Sequence, residues 1–241
     1  MQLVNKRLSM IVNTRPEKLS RDLNYFAQSN QIELTNIPLT EISIREALSQ
    51  EEIEHLTKIE LFDGIVFTSS SACKYGLRKI QDFMEIADIK SSIFAIGPAT
   101  KNELNEHGLE AFMPEEYNSK GMFELLMKHE MKNILLVCGT NNENLLEVHF
   151  NQILPKLEAY NVNPLEYNIG KLKSLPKKSV FLIFNLATFK LIEQNFENLS
   201  ERNFIWICAS QRIADYVDTM KCGKTFVAKS PTYEDMLKEA Q

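Results

Sequence analysis

The chain has 241 residues, 44% of them hydrophobic and 24% charged, with a formal net charge of −5. That length suits one large domain or two of roughly 100–130 residues, each with its own core, in a composition typical of soluble globular proteins. An acidic balance with no basic arm or stripe excludes nucleic acid as the expected partner, and no apolar run approaches the ~18 residues of a membrane span.

Near the N-terminus, Lys6-Arg7 precedes an apolar run too short for the core of a secretory leader, so the cytoplasm is the expected compartment. Leu8 to Val12 reads as a strand. Asn13-Thr14-Arg15-Pro16 turns it into a helix of about a dozen residues from Glu17, with Pro16 at the first helical position and Thr14 as cap. Ile32 to Leu39 is extended, and Pro38 makes it an edge strand or connector. Apolar residues at Ile44, Leu48, Ile53, Leu56 and Ile59 predict a helix over Ser43 to Leu61.

The next stretch, F-D-G-I-V-F-T-S-S-S (Phe62 to Ser71), has the strongest local signal. Ile65-Val66-Phe67 is a short buried strand, entered through Asp63-Gly64 and left through four hydroxyl residues of helix N-cap type. A strand that ends in hydroxyls at a helix N-terminus can receive an anion, because free N–H groups and the helix dipole point there. The bland reading of one such corner is a well-capped helix. Further strands are expected at Ile93 to Ile96 (ending in G-P-A-T), Leu109 to Met113 and Asn133 to Cys138. Helices are expected at Lys101 to His107, Met122 to His129 and Leu145 to Tyr160, the last interrupted near Pro155. Strand alternating with helix predicts parallel sheets with crossover helices.

The pattern then repeats itself. I-V-N-T-R-P and N-I-P-L-T-E-I (Asn36 to Ile42) recur ~125 residues on as L-V-C-G-T-N and N-P-L-E-Y-N-I (Asn163 to Ile169). I-V-F-T-S-S-S-A matches F-L-I-F-N-L-A-T (Phe181 to Thr188), and I-F-A-I-G-P-A-T matches F-I-W-I-C-A-S-Q (Phe204 to Gln211). The expected fold is therefore α/β, two similar domains of parallel sheet with flanking helices and a cleft between them. The Pro-Leu segments 37–42 and 163–169 are expected to pair as a two-stranded connector. Residues 1–36 with 170–241 then form one domain and 43–162 the other.

Cys73, Cys138, Cys208 and Cys222 show no C-x-x-C pair, and His55, His107, His129 and His149 no H-x-x-x-H pair. Neither a zinc site nor a disulfide framework is expected. No G-x-x-x-x-G-K-[ST] or G-x-G-x-x-G stretch points to a nucleotide-dependent enzyme.

Read in register, several stretches resemble the uroporphyrinogen-III synthase family. They are T-R-P (Thr14 to Pro16), F-D-G-I-V-F-T-S-S-S-A (Phe62 to Ala72), A-I-G-P-A-T (Ala95 to Thr100), G-L-E-A-F-M-P-E-E-Y-N-S-K-G (Gly108 to Gly121) and the tyrosine of N-P-L-E-Y. The resemblance implies a monomeric lyase, without metal or other cofactor, that cyclises the small molecule hydroxymethylbilane to uroporphyrinogen III in haem biosynthesis, with inversion of the last pyrrole ring and loss of water. A polycarboxylate substrate calls for many donors, which are expected in the strand-end turns: Thr14, Arg15, Thr68, Ser69, Ser70, Ser71, Gly97, Thr100, Ser119, Lys120, Gly121 and Ser210. The family's tyrosine falls on Tyr167. On an extended segment it would share one face with Leu165 and Ile169 and offer a neutral phenol to the departing hydroxyl. The second half departs from the family pattern at Asn185-Leu186-Ala187-Thr188 and Cys208-Ala209-Ser210-Gln211-Arg212. That keeps a second reading open, a non-catalytic paralogue or two-domain binding protein for an anionic ligand.

Overall fold

Most of the short apolar runs of the sequence become strands that hand over to helices, in a computed structural model that describes residues 10–140 and 142–241. The Lys6-Arg7 segment, Leu8 and Ser9 of the expected first strand, and Asn141 lie outside the described residues. In chain order, β1 (Ile11–Asn13), α1 (Arg21–Ser29) and β2 (Leu34–Asn36) are followed by β3 (Thr40–Ile44) and α2 (Gln50–Thr57). Next come β4 (Gly64–Phe67), α3 (Ser70–Gln81), β5 (Ser92–Ala95), α4 (Pro98–Glu106), α5 (Ser119–Lys128), β6 (Ile134–Gly139), α6 (Leu145–Phe150) and β7 (Lys156–Pro164). The chain ends with α7 (Glu166–Leu172), β8 (Val180–Ile183), α8 (Leu186–Gln194), β9 (Phe204–Cys208), α9 (Gln211–Thr219), β10 (Gly223–Val227) and α10 (Tyr233–Glu239).

The chain divides into two compact units, Met1–Glu41 with Asn163–Gln241 and Ile42–Val162. In the first, the strand order is β10-β9-β8-β1-β2, every neighbouring pair parallel. In the second sheet the order is β3-β7-β6-β4-β5, with β7, β6, β4 and β5 mutually parallel. Equivalent strands of the internal repeat occupy equivalent places in the two sheets. Helices cover both faces, so β4, β6 and β8 are buried along their whole length. This is why they read as unbroken apolar runs instead of alternating ones. The first unit's core gathers Phe181, Phe189, Phe204 and Trp206, all fully buried; Val66, Phe94, Met122, Leu126 and Leu136 form part of the second's.

Several expected elements differ. The helix expected over Ser43 to Leu61 is instead β3, followed by α2 only from Gln50. Ser49 and Glu52 form a capping box that starts the helix there, and T-E-I-S-I alternates as a strand does. The helix expected over Leu145 to Tyr160 stops at Phe150, and β7 takes over after Pro155. Leu109 to Met113 contributes a single parallel bridge, Phe94 to Phe112. Thr14 does not cap the first helix; Ser20 precedes α1, its hydroxyl donating to the Pro16 carbonyl.

β3 and β7 lie side by side. Leu165 N–H donates to the Leu39 carbonyl at 2.8 Å and Arg45 N–H to the Ala159 carbonyl at 3.2 Å. These bonds step in opposite directions along the two segments, which therefore run antiparallel. Glu52 pins their lower end. Its carboxylate accepts from Arg45 Nη1 at 2.6 and 2.7 Å and from the N–H groups of Ser49 (2.7 Å) and Glu158 (2.8 Å). Burial by itself raises the Glu52 carboxyl, but the Arg45, Ser49 and Glu158 donors outweigh it and hold the group below its ordinary range.

A carboxyl depressed by folding contributes stability above its unfolded value, ~4.3, and loses that contribution as pH falls through the folded value. Urea midpoints are therefore expected to fall between about pH 5 and about pH 3. Glu52→Gln should cost about 1–3 kcal/mol at neutral pH and flatten this acid limb. An equally steep limb in the variant would show that other carboxylates carry it.

Candidate functional site

In both sheets the chain winds outward in two directions from a central pair of strands. It leaves β1 for β2 on one side and runs β8, β9, β10 on the other; likewise β4 leads to β5, and β6 to β7. The strand order therefore reverses between β1 and β8 and between β4 and β6. In an open parallel sheet such a reversal splays the two following loops apart and leaves a crevice at the carboxyl ends of the strands.

At the β4/β6 crevice, Ser69 caps α3, its Oγ accepting from the Ala72 N–H at 3.0 Å. The same Oγ lies 3.1 Å from the Tyr160 hydroxyl. Tyr160 stands on β7, one strand beyond β6, and its ring reaches Ser69 by crossing Gly139. The register of β6 on β7 shifts between Cys138 and Gly139, which sets Gly139 opposite Tyr160. A β-carbon on Gly139 would stand 2.6 Å from the ring, so only glycine leaves the path open. Burial raises the Tyr160 phenol above its usual value, and the Ser69 hydrogen bond offsets part of that. The phenol is therefore neutral at physiological pH.

The other turns of this unit lie along the same sheet edge. Gly97 caps α4, and Asn118 caps α5 by accepting from the Gly121 N–H at 2.8 Å. Gly121 is needed for packing, since a β-carbon would meet the Glu116 carbonyl at 2.3 Å. Ser119 Oγ lies 3.4 Å from His149 Nε2, and Lys120 stands 3.8 Å from Glu124 on the exposed helix face. Ser70 is partly exposed, whereas Ser71 and Thr100 are buried. Thr68 donates to the Val137 carbonyl at 3.1 Å. Thr68 and Gly121 thus hold the turns and Ser71 and Thr100 are buried within them, while Ser70 and Ser119 are partly exposed, Lys120 is exposed, and the Ser69 hydroxyl is shared between Ala72 and Tyr160.

At the β1/β8 crevice, Asn13 is fully buried and donates to Ser20 Oγ and Asn36 Oδ1, both at 2.8 Å. Its own Oδ1 accepts from the Arg15 N–H at 3.1 Å. Thr14 is buried and donates to the Leu182 carbonyl at 3.4 Å, a tie between β1 and β8. The Arg15 guanidinium lies over the Phe184 ring, 4.4 Å from its centroid. Asn185 caps α8, accepting from the Thr188 N–H at 2.8 Å, so the turn that departs from the family pattern still does what Ser69 does in the other half. Ser210 precedes α9 without a side-chain cap bond.

The sequence model described as uroporphyrinogen-III synthase HemD matches residues 24–238. The chain belongs to the uroporphyrinogen-III synthase family. An Archaeoglobus fulgidus protein described as "Putative uroporphyrinogen-III synthase" is 33% identical over 91 residues, which are 36% of this chain and 40% of that protein. The chain is thus aligned with less than half the length of this curated relative. Two solved structures share the fold. A mutant uroporphyrinogen III synthase of Thermus thermophilus has a TM-score of 0.64 at 12% identity, covering 96% of this chain and 97% of that one. The uroporphyrinogen-III synthetase of Helicobacter pylori has a TM-score of 0.62 at 17% identity, covering 96% and 98%.

For a synthase of this family the expected phenol was Tyr167 on an extended segment. That geometry is corrected: Tyr167 lies in the first turn of α7, 79% exposed, with Lys171 Nζ 4.3 Å over its ring. A helix does not align Leu165, Tyr167 and Ile169 on one face. Sequence reasoning missed Tyr160 and Phe184. Tyr160 was readable in principle, because K-L-E-A-Y-N-V after Pro155 alternates with Leu157 and Ala159 buried, which is a strand's period. Phe184 had no local signal. Among the described residues no group of His, Cys, Asp and Glu side chains is placed to hold a metal ion, and no helix is long and apolar enough to cross a membrane.

Proposed function

We propose that the chain is a uroporphyrinogen-III synthase, a cytoplasmic monomer that cyclises hydroxymethylbilane to uroporphyrinogen III. Membership of the family across 24–238 carries the reading, and the donor-bearing turns at each sheet's crevice support it. The substrate is a flexible polycarboxylate, so binding falls to Arg15, Ser69, Ser70, Ser119, Lys120 and Ser210, with Gly97 and the α4 N-terminus. Thr14, Thr68, Ser71, Thr100 and Gly121 hold those turns in shape.

In the first step the terminal hydroxyl takes a proton and leaves as water, giving an azafulvene-like cation that the pyrrole nitrogens stabilise. The substituted carbon of the last ring attacks it through a spiro intermediate. Fragmentation and reclosure invert that ring, and the proton released at the final carbon balances the one given. The protein's larger task is conformational, holding the chain curled so that the substituted carbon, and not the free α-carbon, reaches the cation. An ionised Asp or Glu in the crevice would repel the substrate and has no proton to give, whereas a neutral phenol is uncharged and carries one. Tyr160, kept neutral and paired with Ser69, suits the donor's role best; the exposed Tyr167 is the second candidate.

Hydroxymethylbilane generated in situ, incubated with the protein and oxidised, should yield type III porphyrin in excess over type I. Type I alone would sink the proposal.

A further inference from the structure

The Arg15 guanidinium combines three features that ordinary surface arginines lack. It lies at the β1/β8 crevice, where the strand order reverses. It rests on an aromatic ring. Among the described residues, it has neither a hydrogen-bond acceptor nor a carboxylate at ion-pair distance. Burial holds its pKa below the usual value, and Asp22 opposes only part of that. A cation taken partly out of water without an acceptor is destabilised unless a ligand completes it.

We propose that Phe184 is a positioning residue that holds the Arg15 guanidinium ready to receive one carboxylate of the substrate. The inference rests on the reading of Arg15 as a substrate contact. The ring supports the guanidinium from its own face, with Cζ 4.4 Å from the centroid, and a ring is no hydrogen-bond acceptor of the carboxylate kind, so the N–H donors remain to be met by a bidentate carboxylate. Both ends of the pair are anchored. Asn13, itself fixed by Ser20 and Asn36, accepts from the Arg15 N–H. Asn185, capping α8, fixes the backbone next to Phe184. An arginine already restrained in this way gives up little rotamer freedom when the carboxylate arrives.

The internal repeat gives the residue its meaning. Phe184 occupies the position of Thr68 in the other half, where the side chain donates to a neighbouring strand's carbonyl. The two crevices have diverged from one ancestor. One presents hydroxyls and a phenol, the other an arginine on an aromatic support.

Phe184→Met keeps the side-chain volume and removes the ring face. It is expected to raise KM for hydroxymethylbilane about three- to tenfold, the range of a partly desolvated cation–π contact, with kcat within about twofold. Affinity for uroporphyrin III, read by fluorescence titration, should fall in parallel and does not depend on turnover. Phe184→Tyr should restore both values, and in an Arg15→Ala background Phe184→Met should add nothing. If Arg15→Ala weakens binding while Phe184→Met does not, or if Phe184→Met has the same effect with and without Arg15, the positioning role is lost and the reading of Arg15 stands. If Arg15→Ala changes neither KM nor porphyrin affinity, that reading falls and takes the positioning role with it. Should Phe184→Met not fold, Phe184→Leu carries the same comparison.

Discussion

Tyr160→Phe is expected to form type III porphyrin about 10²-fold more slowly than the parent chain, the low end for loss of one general acid. The ring and its packing beside Tyr75 remain, so the thermal midpoint should move by no more than a few degrees. The loss should appear in kcat more than in KM, because the phenol acts on the departing hydroxyl and not on the carboxylates. Burial keeps the phenol protonated, so the rate should hold through neutral and mildly alkaline pH. Tyr167→Phe is the control. A rate unchanged in Tyr160→Phe but reduced in Tyr167→Phe would move the acid to α7, and no change in either would pass the role to water or Ser69.

The second large effect is expected at a residue with no chemistry of its own. Gly139→Ala puts a methyl group 2.6 Å from the Tyr160 ring. Both the Ala backbone and the strand are compatible with the site, so the cheapest relief is for the ring to swing off Ser69. Activity should then fall by about the same 10²-fold as in Tyr160→Phe, with an overpacking cost of roughly 1–3 kcal/mol. The double variant should be little worse than either single one, because both remove the same Ser69–Tyr160 arrangement. Multiplied losses would mean that Gly139 acts through something other than Tyr160.

These two cases mark where sequence reasoning succeeds and where it stops. The strand at Ile65-Val66-Phe67 and the cap at Ser69 were legible because each depends on contiguous residues. A run buried on both faces must be apolar throughout, and a cap must bond an N–H three residues on. Asn185 was read as a departure from the family pattern, yet it performs the same capping, since the helix end requires an acceptor and not a serine. The helices over 43–61 and 145–160 were misread for the opposite reason. T-E-I-S-I becomes a strand against K-L-E-A-Y-N-V, which itself lies between it and β6, and a helical period in isolation does not reveal those neighbours.

What the sequence by itself determined is the α/β class, the buried strands, the helix starts after Ser69 and at Leu145, and the duplication that puts equivalent strands in equivalent places. All of these follow from periodicity, capping and repetition along one dimension. Only the tertiary structure decided which of the many hydroxyls face solvent, that Tyr167 is helical, and that Tyr160 meets Ser69 across 91 positions of chain through the gap left by Gly139. The same holds for Arg15 on Phe184, brought together because β1 and β8 are neighbours. Such pairs form because strand order and register bring distant residues within a few ångströms, and neither quantity is a property of any one stretch of sequence.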